Sequence, residues 1–137
     1  EEIKFIYNLR KKVCQKYIEK IYGEWNEENQ KKLFNKFMKE NLKNIELIYL
    51  EDELVGFYNG KTKDNKSFEI GNICIMPELQ NKGIGTAVLK EIVFENKEKD
   101  IVLNCFKEDS TIGAYEKMGF KKTLETKIYY ILKKTIK

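Results

Sequence analysis

The residues whose types and spacing best suit a chemical role lie between a predicted strand and a predicted helix, and they read Gln80-Asn81-Lys82-Gly83-Ile84-Gly85-Thr86. Unpaired backbone N–H groups at a helix N-terminus bind phosphate readily, because the positive end of the helix dipole lies behind them. Glycines let this backbone approach phosphate oxygens closely, and Lys82 adds a positive charge. The segment is neither a Walker A loop nor a dinucleotide-binding fingerprint, since Val88 stands where the latter needs its third glycine. Alone, the two glycines fit a tight turn equally well.

Several kinds of chemistry are excluded by composition. The 137-residue chain contains no histidine, so it has no Ser-His or Cys-His catalytic pair and no imidazole metal ligand. Its three cysteines (Cys14, Cys74 and Cys105) are odd in number and far apart. We therefore expect no disulfide framework and no metal site, and a reducing cytoplasm is the simpler location.

The charge pattern argues against nucleic acid as a partner. The chain has 26 Lys+Arg and 22 Asp+Glu, a formal net charge of +4, but the cations are spread along the sequence and interleaved with acids. Nucleic-acid binding usually needs basic residues concentrated on one face. No apolar run approaches the ~20 residues that cross a bilayer, so we expect no membrane span.

The first forty residues are predicted to form two helices. Apolar residues recur at three- and four-residue steps, the period of one helical face, at Ile3, Ile6, Leu9, Val13, Tyr17 and Ile21. Gly23 ends this helix, and Asn26 caps a second one. The apolar stripe of the second helix is predicted at Leu33, Phe34, Phe37, Met38 and Leu42.

The rest of the chain alternates strands and helices. Residues 45–50 and 54–58 read as a hairpin, and 68–76 as a third strand that Pro77 stops. A helix over 83–96, a strand over 101–106 and a short helix over 110–118 follow, with Gly119 as the C-cap. Two last strands are predicted at 120–124 and 127–132. The order predicts a mixed α/β (α+β) domain that occupies residues 1–137.

Two motifs in this context resemble the GNAT superfamily of N-acetyltransferases. The first is strand–Pro77–Gln80-x-x-Gly83-x-Gly85–helix, within residues 70–93. The second is Ala114-Tyr115-Glu116-Lys117-Met118-Gly119-Phe120, after the following strand. With the preceding hairpin, the resemblance spans residue 45 to the C-terminus. It implies the GNAT fold: a central mixed, mostly antiparallel sheet, splayed at the coenzyme strand and flanked by helices.

The resemblance also implies an acetyl-CoA site, with acetyl-CoA as the acyl donor and no metal. The splayed strand would offer free main-chain groups to the pantetheine arm at Ile73, Cys74 and Ile75. The pyrophosphate would lie on the backbone of Gln80, Asn81, Lys82, Gly83, Ile84, Gly85 and Thr86. Asn104 is a further polar candidate facing the coenzyme. Family members often carry Asn where this chain has Asp109, which could equally cap a helix, so we assign Asp109 no coenzyme role.

Two residues are the catalytic candidates. Tyr115 matches the family's tyrosine, placed to protonate the departing CoA thiolate, and a phenol with a pKa of about 10 is almost fully protonated at neutral pH. An attacking amine must lose a proton, and Glu69, eleven residues before Gln80, matches the catalytic Glu of the histone-acetylating branch. Its position between Phe68 and Ile70 predicts desolvation that would raise the pKa of its carboxyl. Ordered water is the alternative base, and a solvent-facing strand residue is the alternative reading of Glu69.

The acceptor region is the least diagnostic. In the family, the first two helices and the final hairpin shape the acceptor cleft. Tyr22, Glu24 and Trp25 would give this cleft an aromatic and acidic character suited to a cationic amine. The competing interpretation is that Tyr22 and Trp25 fix the helix–helix turn into the core.

These observations predict a cytoplasmic N-acetyltransferase that transfers acetyl from acetyl-CoA directly to a small-molecule amine or a peptide. The alternative is a GNAT-fold module that binds acyl-CoA without turnover. Dimers are common in the family, but the sequence specifies no interface. The family begins with a strand before its first helix, so we also expect about ten further residues before Glu1 in the natural chain.

Overall fold

A computed structural model describes residues 1–107 and 111–136. Its helices and strands, in chain order, are α1 (Glu2–Tyr22), α2 (Glu27–Asn41), β1 (Ile45–Leu50), β2 (Glu53–Lys63), β3 (Ser67–Ile75), α3 (Ile84–Glu95), β4 (Asp100–Phe106), α4 (Ile112–Lys117), β5 (Lys121–Glu125) and β6 (Tyr129–Lys134). This is the predicted order. The main difference is β2, which continues five residues past the predicted end at Tyr58, because its polar residues keep pairing with β3.

The strands form one six-stranded sheet in the order β1-β2-β3-β4-β6-β5. Only β3 and β4 are parallel neighbours, and the other adjacent pairs are antiparallel. Parallel neighbours need a long crossover, which α3 supplies. The predicted mixed, mostly antiparallel sheet flanked by helices is confirmed.

Helices α1 and α2 cover one face of this sheet. Ile6 and Leu9 of α1 and Phe34 of α2 pack against Phe57 of β2 and Cys74 of β3. Phe57 is completely buried. This apolar cluster therefore fixes α1 above the middle of β2 and β3.

Helices α3 and α4 lie against the opposite face. Leu89 and Ile92 of α3 pack with Ile101 of β4 and Leu132 of β6, all fully or almost fully buried. The second cluster therefore fixes α3 and α4 beneath β4.

The helix ends follow the predicted chemistry. The Asn26 side chain accepts a hydrogen bond from the Asn29 N–H at 2.9 Å, which caps α2. Glu27, in the first turn of α2, accepts hydrogen bonds from Tyr7 and Lys11 of α1. The two N-terminal helices are thus joined by polar contacts as well as by the core.

The predicted apolar stripes are only partly buried. Phe34 and Met38 are 3% and 8% exposed, whereas Leu33 and Leu42 are 55% and 63% exposed. Ile3, at the start of α1, is also exposed. α2 contacts its neighbours along a narrow face, so residues at the edges of its stripe stay in water. Within the described ranges, none of the helices combines the length and apolar character that crossing a bilayer requires.

Candidate active site

The centre of the sheet contains a notch between β3 and β4. These strands pair only from Ser67↔Asp100 to Ile70↔Leu103. Both continue beyond that point, β3 to Ile75 and β4 to Phe106, without pairing with each other. Main-chain groups on the facing edges of the notch are consequently left for another partner, as the splayed-strand prediction required.

A β-bulge at Gly71 lies where the notch begins. Asn59 of β2 pairs with Asn72 and Gly60 pairs with Ile70, so Gly71 is the extra residue. A Cβ atom at Gly71 would lie 2.6 Å from Asn59 Nδ2, and Asn59 is itself buried and accepts a hydrogen bond from Asn72 Nδ2 at 2.9 Å. The bulge therefore favours glycine, since any Cβ would push the Asn59 side chain out of this hydrogen bond.

The bulge also changes which side chains share a face. In a regular strand, residues 69 and 72 would point to opposite faces. Because of the extra residue, the side chains of Glu69 and Asn72 both lie on the face covered by α1 and α2, where they line the same cavity. Cys74 lies on this face as well and packs in the apolar cluster beneath α1.

A cavity of about 180 Å³ occupies the notch and is lined from both faces of the sheet. Arg10, Val13, Cys14 and Ile18 line it from α1. Tyr115 lines it from α4, although its ring packs against the core on the α3 side. The opening between the strands thus brings groups from opposite faces to one space.

A second cavity, of about 470 Å³, adjoins the first on the α1/α2 face. The two share the wall residues Ile70, Gly71, Asn72 and Asn104. Five asparagines line the second cavity: Asn41, Asn44, Asn59, Asn72 and Asn104. Glu69 lines it as well. Tyr115 and Glu69 therefore stand at adjoining cavities rather than at unrelated places.

The glycine loop has the geometry of an open anion site. Gly83 has φ of 86° and begins α3, and a Cβ there would meet no atom within 4 Å. The first helical hydrogen bond runs from the Ala87 N–H to the Gly83 carbonyl at 2.9 Å, so the N–H groups of residues 84–86 have no partner in the helix. The side-chain amide of Gln80 (Nε2) donates a hydrogen bond to the Ile75 carbonyl at 3.0 Å, which connects the loop to the end of β3. Lys82 is exposed beside it.

The remaining coenzyme candidates are distributed along the notch. Ile73 and Cys74 line the notch cavity, and Ile75 is buried against Val88 of α3. Asn104 is exposed and lines both cavities. Asp109 lies outside the described residues.

The surroundings of Glu69 differ from the expectation. Its side chain is 36% exposed, and one carboxylate oxygen lies 3.7 Å from Lys63 Nζ. The desolvated setting predicted from its apolar neighbours is absent, because Phe68 and Ile70 point to the opposite face.

The predicted acceptor residues stand apart from these cavities. Tyr22 is 71% exposed, and Tyr22, Glu24 and Trp25 line neither cavity. The Trp25 ring lies 5.7 Å below Lys11 Nζ, and the Trp25 backbone N–H donates to a Glu19 carboxylate oxygen at 3.1 Å. The exposure of Tyr22 also argues against its role in fixing the turn into the core.

An aromatic stack that the sequence analysis did not single out borders the notch. Tyr17 of α1 stacks on Phe106 with ring centroids 4.5 Å apart, and Phe106 contacts Tyr129 at 4.9 Å. Phe106 and Tyr129 line the notch cavity, and burial raises the pKa of the Tyr129 phenol. Strand alternation could have found Phe106, because it lies two residues after Asn104 on the same face.

All three cysteines line the notch cavity as buried thiols. Burial strongly raises the pKa of the Cys74 thiol, which keeps it protonated and poorly nucleophilic. Among the described residues, no group of three or more Cys, Asp or Glu side chains is arranged to hold a metal ion.

Comparisons with known proteins point to one family. The family model described as the acetyltransferase (GNAT) family matches residues 6–120. An uncharacterised N-acetyltransferase of Pyropia yezoensis is 30% identical over 82 residues, a match that covers 57% of this chain and 47% of that relative. The chain thus spans about half the length of this curated relative.

Solved structures share the fold at low identity. The PaiA N-acetyltransferase of Thermoplasma acidophilum, in complex with coenzyme A, superposes with a TM-score of 0.73 at 20% identity, covering 98% of this chain and 92% of that one. A GNAT family acetyltransferase of Elizabethkingia anophelis, with acetyl-CoA bound, gives a TM-score of 0.62 at 20% identity, covering 73% and 82%. These structures share the architecture described above, and with the match over residues 6–120 the conclusion is that this chain belongs to the GNAT family of acetyltransferases.

Proposed function

We propose that this protein is an acetyl-CoA-dependent N-acetyltransferase that transfers the acetyl group directly to a primary amine. The observation that carries the proposal is the notch cavity, which a tyrosine lines from one face of the sheet and helix α1 lines from the other. An acyl donor entering from the α3 side and an amine entering from the α1 side would meet there.

The coenzyme would lie along β3 and on the start of α3. Main-chain groups of Ile73–Ile75 would bind the amides of the pantetheine arm, since β4 does not pair with them. The N–H groups of Ile84–Thr86 and the Lys82 ammonium would bind the pyrophosphate. The open space around Gly83 supports this assignment, because phosphate oxygens need to approach the backbone closely.

The reaction would proceed by one direct displacement. The amine nitrogen attacks the thioester carbonyl, main-chain N–H groups near Ile73–Ile75 stabilise the oxyanion, and the carbon–sulfur bond then breaks. Tyr115 protonates the CoA thiolate. A covalent intermediate on Cys74 is disfavoured by the raised pKa of its buried thiol.

Deprotonation of the amine is assigned to Glu69 or to water. Glu69 lines the cavity beside the notch, and its side chain, which pairs with Lys63, is 36% exposed and therefore in reach of solvent. Such a carboxylate could accept the proton directly or pass it to water.

The alternative function is a module that holds acyl-CoA without turnover. Both functions need the glycine loop, but only the enzyme needs the Tyr115 hydroxyl. The remaining proposals are a single domain over residues 1–137, a cytoplasmic location, and a small-molecule or peptide acceptor rather than nucleic acid. No interface for a homodimer is assigned.

Replacing Gly83 tests the pyrophosphate site. Gly83→Asp puts a negative charge into the open space at the start of α3. We expect the Kd for acetyl-CoA, measured by isothermal titration, to rise about tenfold or more relative to Gly83→Asn, which has nearly the same shape and no charge.

Asn65→Asp is the charge control, because Asn65 is exposed in the turn between β2 and β3 and also has a positive φ (57°). It should bind acetyl-CoA as the wild type does. Equal affinities of Gly83→Asp and Gly83→Asn for acetyl-CoA would contradict the placement of the pyrophosphate on this loop.

Removal of the Tyr115 hydroxyl separates the enzyme from the module. Tyr115→Phe should lower kcat about 10²- to 10⁴-fold while the Kd for acetyl-CoA is unchanged, because the hydroxyl acts on the leaving thiolate. The measurement is CoA release with a panel of primary amines. Tyr130→Phe is the control, since Tyr130 packs against the same core but lines neither cavity. Binding of acetyl-CoA without turnover of any amine would favour the module.

Neutralising Glu69 tests the base. If the carboxylate accepts the amine proton, Glu69→Gln lowers kcat/KM about 10²-fold or more, and the loss is smaller at high pH where more amine is already deprotonated. Glu125→Gln, which removes another strand carboxylate paired with a lysine, should have no effect. An unchanged pH–rate profile for Glu69→Gln would assign deprotonation to water.

A further inference from the structure

Arg10 is the one arginine of the chain, whose other 25 basic residues are lysines. It lies on α1, and its side chain lines the notch cavity together with Tyr115 and Asn104. The family motifs recognised in the sequence begin well after this helix, so they give Arg10 no role.

One hydrogen-bond donor of Arg10, its Nε–H group, has no partner among the described residues. Its Nε atom is buried and makes no hydrogen bond to any described residue. Within residues 1–107 and 111–136, no carboxylate forms an ion pair with it. A buried N–H donor left unpaired is costly, so the Nε of Arg10 indicates a missing acceptor, and a guanidinium pairs most strongly with an anion.

Phe37 of α2 contacts the Arg10 guanidinium but offers no oxygen or nitrogen acceptor to it. The Arg10 guanidinium carbon lies 5.8 Å from the centroid of the Phe37 ring. A guanidinium that stacks its face on an aromatic ring still presents its N–H groups at the edge, where they fit the two oxygens of a carboxylate. The described titratable groups that sense its charge are Tyr7, Cys74 and Tyr129; burial raises the pKa of each, so all three are neutral at physiological pH.

The coenzyme is not the missing anion. In the proposed binding mode its phosphates lie at the start of α3, on the opposite face of the sheet from α1, and the pantetheine arm is uncharged. Since neither the described residues nor the coenzyme supplies this anion, we assign it to the acceptor.

We propose that Arg10 binds a carboxylate of the acceptor, and that the acceptor is a free amino acid. This inference rests on the proposed N-acetyltransferase function. The notch cavity measures only about 180 Å³, so a carboxylate held by Arg10 is separated from the reacting amine by few bonds. The adjoining cavity of about 470 Å³ leaves room for the amino acid's side chain. A peptide that is acetylated at its N-terminal amino group has no carboxylate close to that amine unless its first residue is acidic.

The test compares matched acceptors that differ in one charge. CoA release is measured with a pool of the proteinogenic amino acids and with the pool of their C-terminal amides. The wild type should acylate the amino acids about tenfold or more faster in kcat/KM, and Arg10→Gln should lower kcat/KM for the amino acids about 10- to 100-fold without changing that for the amides. Arg10→Lys, which keeps the charge but not the paired donors, should recover part of the loss.

Three results would overturn the proposal. The first is equal or faster turnover of the amides by the wild type, which would leave the N-acetyltransferase function standing with a peptide or a plain amine as acceptor. The second is an equal loss on both pools in Arg10→Gln, which would mark Arg10 as structural. The third result concerns binding, measured as the Tm with CoA present. A pool of N-acetylated amino acids should raise the Tm of the wild type but not that of Arg10→Gln. No rise in the wild type would contradict carboxylate recognition, even if neither pool of acceptors were turned over.

Discussion

The extra residue at Gly71 is the constraint on which the site depends. Up to Ile70, β3 has a strand on each side, but after the bulge only β2 remains its partner. Glycine suits this position best, because a Cβ would lie 2.6 Å from the side-chain amide of Asn59, which Asn72 holds by a hydrogen bond. The main-chain N–H and C=O groups of β3 that do not pair with β4 need other partners, since unpaired backbone groups in a protein interior are costly. An extended ligand with amide groups can supply them.

The notch also explains why side chains from both faces of the sheet can line a single cavity. A closed sheet would separate Tyr115, which packs with the α3 side, from Arg10 on α1. The buried clusters around Phe57 on one face and Leu89 on the other keep the two helical layers in place. In the proposed mechanism, the acyl donor and the acceptor meet in this notch between the two layers.

The sequence predicted the order of elements and the glycine loop because both depend on local signals. Asn26, Pro77 and Gly119 mark their boundaries through capping and backbone geometry alone. It could not predict the environment of Glu69, since the face on which its neighbours lie depends on strand register and on a bulge. Arg10 was missed for a similar reason: its isolation becomes visible only when α1 is placed over the notch. Gly71, a glycine inside a strand, was the one local signal of the bulge.

Amide hydrogen exchange with and without acetyl-CoA would show whether the notch holds the coenzyme. Binding should slow exchange in the segment from Gly71 to Ile75 and at residues 84–86, where N–H groups would gain partners. Segments of β1 and β5, at the sheet edges, should be unaffected. Protection at the start of α3 with no change in β3 would contradict the account, because the pantetheine arm would then lie outside the notch.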